Sequence, residues 1–183
     1  IISYGGGNSF NSNNDRANLI CYNGKVAVTN SEISHGKEHG FSCVYSSSEI
    51  MEFSGNVIRN NEKYPVFSLI KYGFNFDSSN NFIGNEMDYI FLKGGRAIEG
   101  NFTWEKTSVP FLIDGVLKIN DNQSLVLSPG AVLLFEGESS IVVEEGGYLS
   151  SVGEQNNKIT LSGIVSQPGS WRGVLNYSDD LRN

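Results

Sequence analysis

The sequence predicts an all-β fold: a parallel β-helix, or solenoid, in which short strands stack coil upon coil. Three observations predict it. First, a short pattern recurs every 25 residues in the first half. It reads Ser54-Gly-Asn56-Val-Ile58-Arg-Asn60, then Ser79-Asn-Asn81-Phe-Ile83-Gly-Asn85, and more loosely Ser31-Glu-Ile33-Ser-His35. Second, the composition opposes helix, with 21 Asn, 21 Gly and only four Ala. Asn and Gly favour turns, and the apolar residues are mostly strand formers. Third, the strand-like runs are short and punctuated by Gly, Asn and Ser, with no helical pattern between them, which excludes βαβ units. A period of this size marks stacked repeats, each strand pairing with its equivalent about 4.8 Å away in the next coil.

Residues 1–92 are expected to form Asn-rich regular coils. Val26-Ala-Val28 recurs as Met51-Glu-Phe53, and Phe74-Asn-Phe76 follows slightly early. Phe41 to Tyr45 recurs as Val66 to Ile70, then as Tyr89 to Leu92. Ile33, Ile58 and Ile83 are predicted to stack inward, with Phe53 and Phe76 nearby. His35, Asn60 and Asn85 are predicted to share one turn position, where stacked side chains bond from layer to layer. His35 and His39 have a spacing that binds zinc on a helix, but this segment reads as a turn with no third ligand. Residues 93–108, with Gly94-Gly95 and Trp104, read as an irregular link, or as a coil with a larger loop. Residues 109–183 hold stronger strands, separated by Pro129-Gly130 and Gly146-Gly147 turns. A single domain spanning 1–183 is the expected organisation.

The net charge of -7 and pI near 4.8 argue against nucleic acid or anionic membranes as partners. No apolar run approaches the roughly 18 residues of a membrane span. Ile1-Ile2-Ser3-Tyr4 lacks the basic start and apolar core of a signal peptide, so the chain reads as a mature product or an internal piece. Cys21 and Cys43 lie 22 residues apart, near one period, which suits adjacent layers of one core face. Stacked thiols and a disulfide both stay open.

Enzymes on such a scaffold need acids and bases in a column on an outer face. Glu52 and Asp77 are the candidate pair, 25 residues apart. Close carboxylates raise one pKa and serve as acid and base, or they bind calcium. The alternative is two solvated side chains, and the preceding member of the column, Ala27, is not a base. Asn11, Asn13 and Asp15 place oxygens at alternate positions as a calcium loop does, without that loop's Gly and distal Glu. No other cofactor is expected. No nucleophile elbow, Cys-x-x-Cys pair or phosphate loop is present. Tyr4, Tyr22, Tyr45, Tyr64, Tyr72, Tyr89, Tyr148, Tyr177 and Trp104 are dispersed. They stack in the core, or an exposed row of them holds sugar rings.

One stretch carries a resemblance. Leu127-Ser-Pro-Gly130, Leu133-Leu-Phe135, Ile141 to Leu149, Gly153, Ile159-Thr-Leu161 and Trp171-Arg-Gly-Val174 follow one another in that order. This series, across roughly 104–177, resembles bacterial right-handed parallel β-helix surface proteins. The resemblance implies a right-handed coil, which is also the general rule for parallel crossovers. It further implies an extracellular or cell-surface location and no particular activity. In such proteins the Trp-x-Gly strand precedes the Tyr-x-Gly-Gly turn, whereas here Trp171 is late and Tyr4-Gly-Gly-Gly7 is early. Reading Asn183 directly into Ile1 restores the order. An end-to-end interface is therefore expected around Ile1, Ile2, Tyr4, Tyr177, Leu181 and Asn183. Its partner would be another copy or an adjacent tandem unit, and a non-closing contact of this kind gives a filament. A fragment of a larger surface protein is the other reading. The expected function is a non-catalytic structural unit of a surface filament or stalk; the alternative is a carbohydrate-binding or carbohydrate-active β-helix.

Overall fold

The computed structural model describes residues 1–8 and 16–177. It is a parallel β-solenoid of about six turns, with equivalent positions about 24 residues apart. Strand accounts for 44% and helix for 4%, so the all-β expectation holds. The chain divides into two compact units. The first comprises Ile1–Leu69, Asn75–Phe91 and Thr107–Pro110, and the second Ile70–Phe74, Leu92–Lys106 and Phe111–Asn183.

In the first unit the strands form three rows, every neighbour parallel. One row stacks β1 (Ile2–Ser3), β4 (Glu32–Ser34) and β7 (Val57–Arg59). The next stacks β2 (Ala17–Ile20), β5 (His39–Cys43) and β8 (Val66–Leu69). The last pairs β3 (Lys25–Thr29) with β6 (Glu49–Ser54). Phe41, Phe53 and Phe76 meet in the interior, with ring centroids 4.9 to 6.2 Å apart. β9 (Ile90–Lys93) begins in this unit and ends in the second.

Ile33 and Ile58 are register partners and fully buried, as the period predicts. Ile83 is not; it is 55% exposed, and Phe82 is buried in its place. The coil repeat explains this correction. Cys43 pairs Ser68 at 25, but Val57 bridges Asn81 at 24. The intervening stretch, 69–80, is therefore one residue shorter than its counterpart, 44–56. It contains a 3-10 helix, Ile70–Asn75, where the sequence suggested the end of one strand and the start of another. Because side chains alternate with period two, a slip of one residue exchanges the faces.

In the second unit each complete coil contributes three strands. One row stacks β10 (Arg96–Ala97), β13 (Val116–Ile119), β16 (Ser140–Val143) and β19 (Val174–Asn176). A second stacks β11 (Asn101–Trp104), β14 (Ser124–Leu127) and β17 (Tyr148–Ser151). A third stacks β12 (Phe111–Asp114), β15 (Val132–Phe135) and β18 (Thr160–Gly163). Inner positions alternate with outer ones, so Leu117, Ile119, Leu125, Leu127, Leu133 and Phe135 are buried.

Residues 93–108 are thus not an irregular link, because β10 and β11 are regular rungs. Gly94 is a coil corner. A Cβ there would fall 2.6 Å from the Val116 nitrogen, so only glycine permits that approach. Trp104 is a core residue at 1% exposure, tilted against Phe111 and resting on Gly73.

Candidate functional site

The polar side chains that the structure gathers most closely are asparagines at the coil corners of the first unit. Asn56 Oδ1 accepts from the Ser31 nitrogen at 3.0 Å, and its Nδ2 donates to the Val28 carbonyl at 2.8 Å. Asn80 repeats the arrangement 24 residues on. Its Oδ1 accepts from Asn56 Nδ2 at 3.0 Å, and its Nδ2 donates to the Phe53 carbonyl at 3.0 Å. A second row lies beyond β7. Asn61 Oδ1 accepts from the Gly36 nitrogen at 2.9 Å, and Asn85 Oδ1 accepts from Asn61 Nδ2 at 2.8 Å. Asn18 Nδ2 completes this row with a 2.9 Å bond to Asn61 Oδ1. Each carboxamide supplies a donor and an acceptor, so one side chain satisfies two backbone groups of the preceding coil that would otherwise be buried unpaired.

These rows revise the predicted ladder. His35 and Asn60 do stack, with Asn60 Nδ2 3.4 Å from His35 Nε2. Asn85 belongs to the row with Asn61, and the residue after Asn60 in its own column is Gly84, whose carbonyl accepts from the Asn60 nitrogen at 2.8 Å. This column also takes in Tyr4, whose ring stacks on His35 at 5.0 Å. All four residues have positive φ: 62° at Tyr4, 55° at His35, 55° at Asn60 and 93° at Gly84. The shared feature is a left-handed turn rather than an amide. Asn61 and Asn80 escaped the sequence reading because the one-residue contraction moves the period from 25 to 24; Asn18 escaped it because its partner Asn61 lies 43 residues on, outside any single period.

The candidate acid pair is held locally. Glu52 is exposed and accepts from the Ser54 hydroxyl at 3.1 Å. Asp77 accepts from the Ser79 nitrogen at 3.0 Å and from Asn80 Nδ2 at 3.1 Å, which closes its own turn. Among the described residues, no group of three or more His, Cys, Asp or Glu side chains is placed to hold a metal ion. Asn11, Asn13 and Asp15 lie outside the described residues, as do Leu181 and Asn183. Cys21 and Cys43 are buried free thiols; the Cys21 nitrogen bonds the Ser42 carbonyl at 2.9 Å, extending the β2–β5 ladder.

Of the proposed end residues, Ile1 is 90%, Tyr4 79% and Tyr177 60% exposed, and Ile2 is half-buried. β1 is paired with β4, and β19 with β16. Among the described residues each has one paired side and one open side. Val174 and Leu175 on β19 are also exposed.

Outer faces carry two further features. In the first unit His39, Tyr64, Phe67 and Phe91 form one stack, with centroids 4.6 to 5.5 Å apart. In the second unit a shallow cleft of about 470 Å3 is lined by Asn101, Asn122, Gln123, Ser124, Gly146 and Tyr148. No helix among the described residues is long and apolar enough to cross a membrane. Comparison with protein-family models, curated proteins and solved structures finds no match to this chain.

Proposed function

We propose that this solenoid is a non-catalytic structural element of an extracellular or cell-surface assembly, joined end to end with copies of itself or with adjacent tandem units. The observation that carries the reading is the use of polar side chains between coils. The asparagine rows bind one coil to the next. On the outer faces Lys25–Glu49, Lys63–Glu38 and Lys118–Glu144 bridge residues 24 to 26 positions apart (49 − 25, 63 − 38, 144 − 118) at 2.5 to 2.7 Å. Each exposed ion pair contributes little, about 0–1 kcal/mol. Their common direction, from coil to coil, suits an element that carries load along its stacked coils. The open sides of β1 and β19 supply the joining chemistry, because an unpaired strand side accepts another strand. The resemblance of 104–177 to bacterial surface β-helices favours the same setting.

The test is sedimentation velocity across a concentration series, with the variant Val174→Pro on β19, whose N–H points away from β16 because Gly173 and Tyr177 make the ladder bonds to Ile141 and Val143. A proline removes one backbone donor and blocks strand addition. The wild type is expected to form a concentration-dependent oligomer series that the variant lacks. A wild type that stays monomeric throughout contradicts end-to-end joining.

A further inference from the structure

We propose that the cleft on the second unit is a binding site for a neutral oligosaccharide. This goes beyond the structural role and does not depend on end-to-end joining.

The lining chemistry selects the ligand class. All the lining side chains are uncharged: three carboxamides, a hydroxyl and a phenol. Asn101, Ser124 and Tyr148 are register partners on three successive rungs. Their backbones therefore repeat at the strand spacing of about 4.8 Å, which aligns their polar side chains in one file along the cleft. Ser124 Oγ donates to Asn101 Oδ1 at 2.9 Å, which leaves Asn101 Nδ2 as a donor facing the cleft. Gln123 Oε1 accepts from the Asn120 nitrogen at 2.9 Å, which leaves its Nε2 as a second donor. Sugar hydroxyls both donate and accept, so mixed amide and hydroxyl groups match them. The half-buried Tyr148 ring adds apolar area with a polar tip, a combination suited to carbohydrate faces.

The same lining argues against other classes. Among the described lining residues there is no Lys or Arg to balance a uronate, sulfate or phosphate, and the net charge of -7 repels polyanions. An apolar ligand would strand the amides without partners. Gly146 is required at the turn that borders the cleft. It has φ of 73°, and a Cβ there would fall 2.0 Å from Asp121 Oδ1.

The experiment titrates the full chain with cellopentaose, xylopentaose and mannopentaose, using pentagalacturonic acid as the acidic comparator. Backbone amide shifts and calorimetry provide the readouts. Variants are Tyr148→Ala and Asn101→Asp, with Glu52→Gln as a control in the first unit. Asn101 is exposed and its replacement is isosteric, so it keeps the test valid if Tyr148→Ala fails to fold. At least one neutral pentasaccharide is expected to saturate with a Kd of about 1 mM or tighter. Shifts should cluster at 101, 122–124 and 146–148. Asn101→Asp should weaken binding about fivefold or more, the scale of one hydrogen bond, while Glu52→Gln leaves it unchanged. No saturation by any neutral sugar up to about 10 mM overturns the proposal. So does binding that Asn101→Asp leaves intact, or equal affinity for the acidic sugar.

Discussion

Phe82 and Ile83 are chain neighbours with opposite surroundings, one fully buried and one 55% exposed. Their substitution energies should differ accordingly. Phe82→Ala is expected to cost about 3–5 kcal/mol, the range for a buried aromatic. Ile83→Ser should stay within about 0.5 kcal/mol, as for most surface changes. Urea unfolding of the two variants measures both, and the reverse ranking would restore the unbroken 25-residue register. A second residue-scale effect concerns Glu32. The Ser34 hydroxyl, and after it the Arg59 guanidinium, hold its carboxyl below the ordinary value of 4.5, against an opposing effect of desolvation. A depressed folded pKa gives stability that is present above the unfolded value and lost as pH falls through the folded one. Glu32→Gln should therefore lower the melting midpoint slightly near neutrality and flatten its fall below about pH 4.5, the two proteins converging in acid. An acid limb as steep as in wild type would contradict this.

At the scale of elements, the asparagine rows and the left-handed column make contrasting demands. Asn56→Ala strands the Ser31 nitrogen and the Val28 carbonyl inside the first unit. Each stranded group costs about 1–3 kcal/mol, so the variant should be among the least stable in this unit. Asn60 is exposed with φ of 55°, and Gly84 follows it in the same column. Asn60→Gly should accordingly change stability by about 0.5 kcal/mol or less. Denaturant midpoints for the two variants decide the matter, and similar losses would mean that the exposed column, too, holds the coils together. The sequence made the rungs legible because Val, Ile, Leu and Phe alternate between turn residues, as in Val116–Ile119 and Val132–Phe135. It hid the contraction before Asn80, because a 3-10 turn replaces a strand without breaking the apolar pattern around Phe74 and Phe76. It also disguised β10 and β11, because glycines that look like a linker instead allow Gly94 and Gly115 to pass closely.

At the scale of the whole molecule, the parallel solenoid was legible from one repeated motif, since stacking equivalent strands is the way such a motif buries its apolar face. The cleft was not legible. Its lining comes from one strand row and two turns, whose residues meet only after the coils are in register. Glu52 and Asp77 were found by the period, but the period does not reveal which neighbour each carboxylate bonds; Ser54 and Ser79 do that. The central claim is that open strand sides join one copy to another. Hydrogen exchange at the backbone amides of β1 and β19, at low and high protein concentration, tests it most directly. The account predicts that protection of these amides rises with concentration while the interior rungs β13 and β14 stay unchanged. Equal protection of β1 and β19 at all concentrations would contradict it.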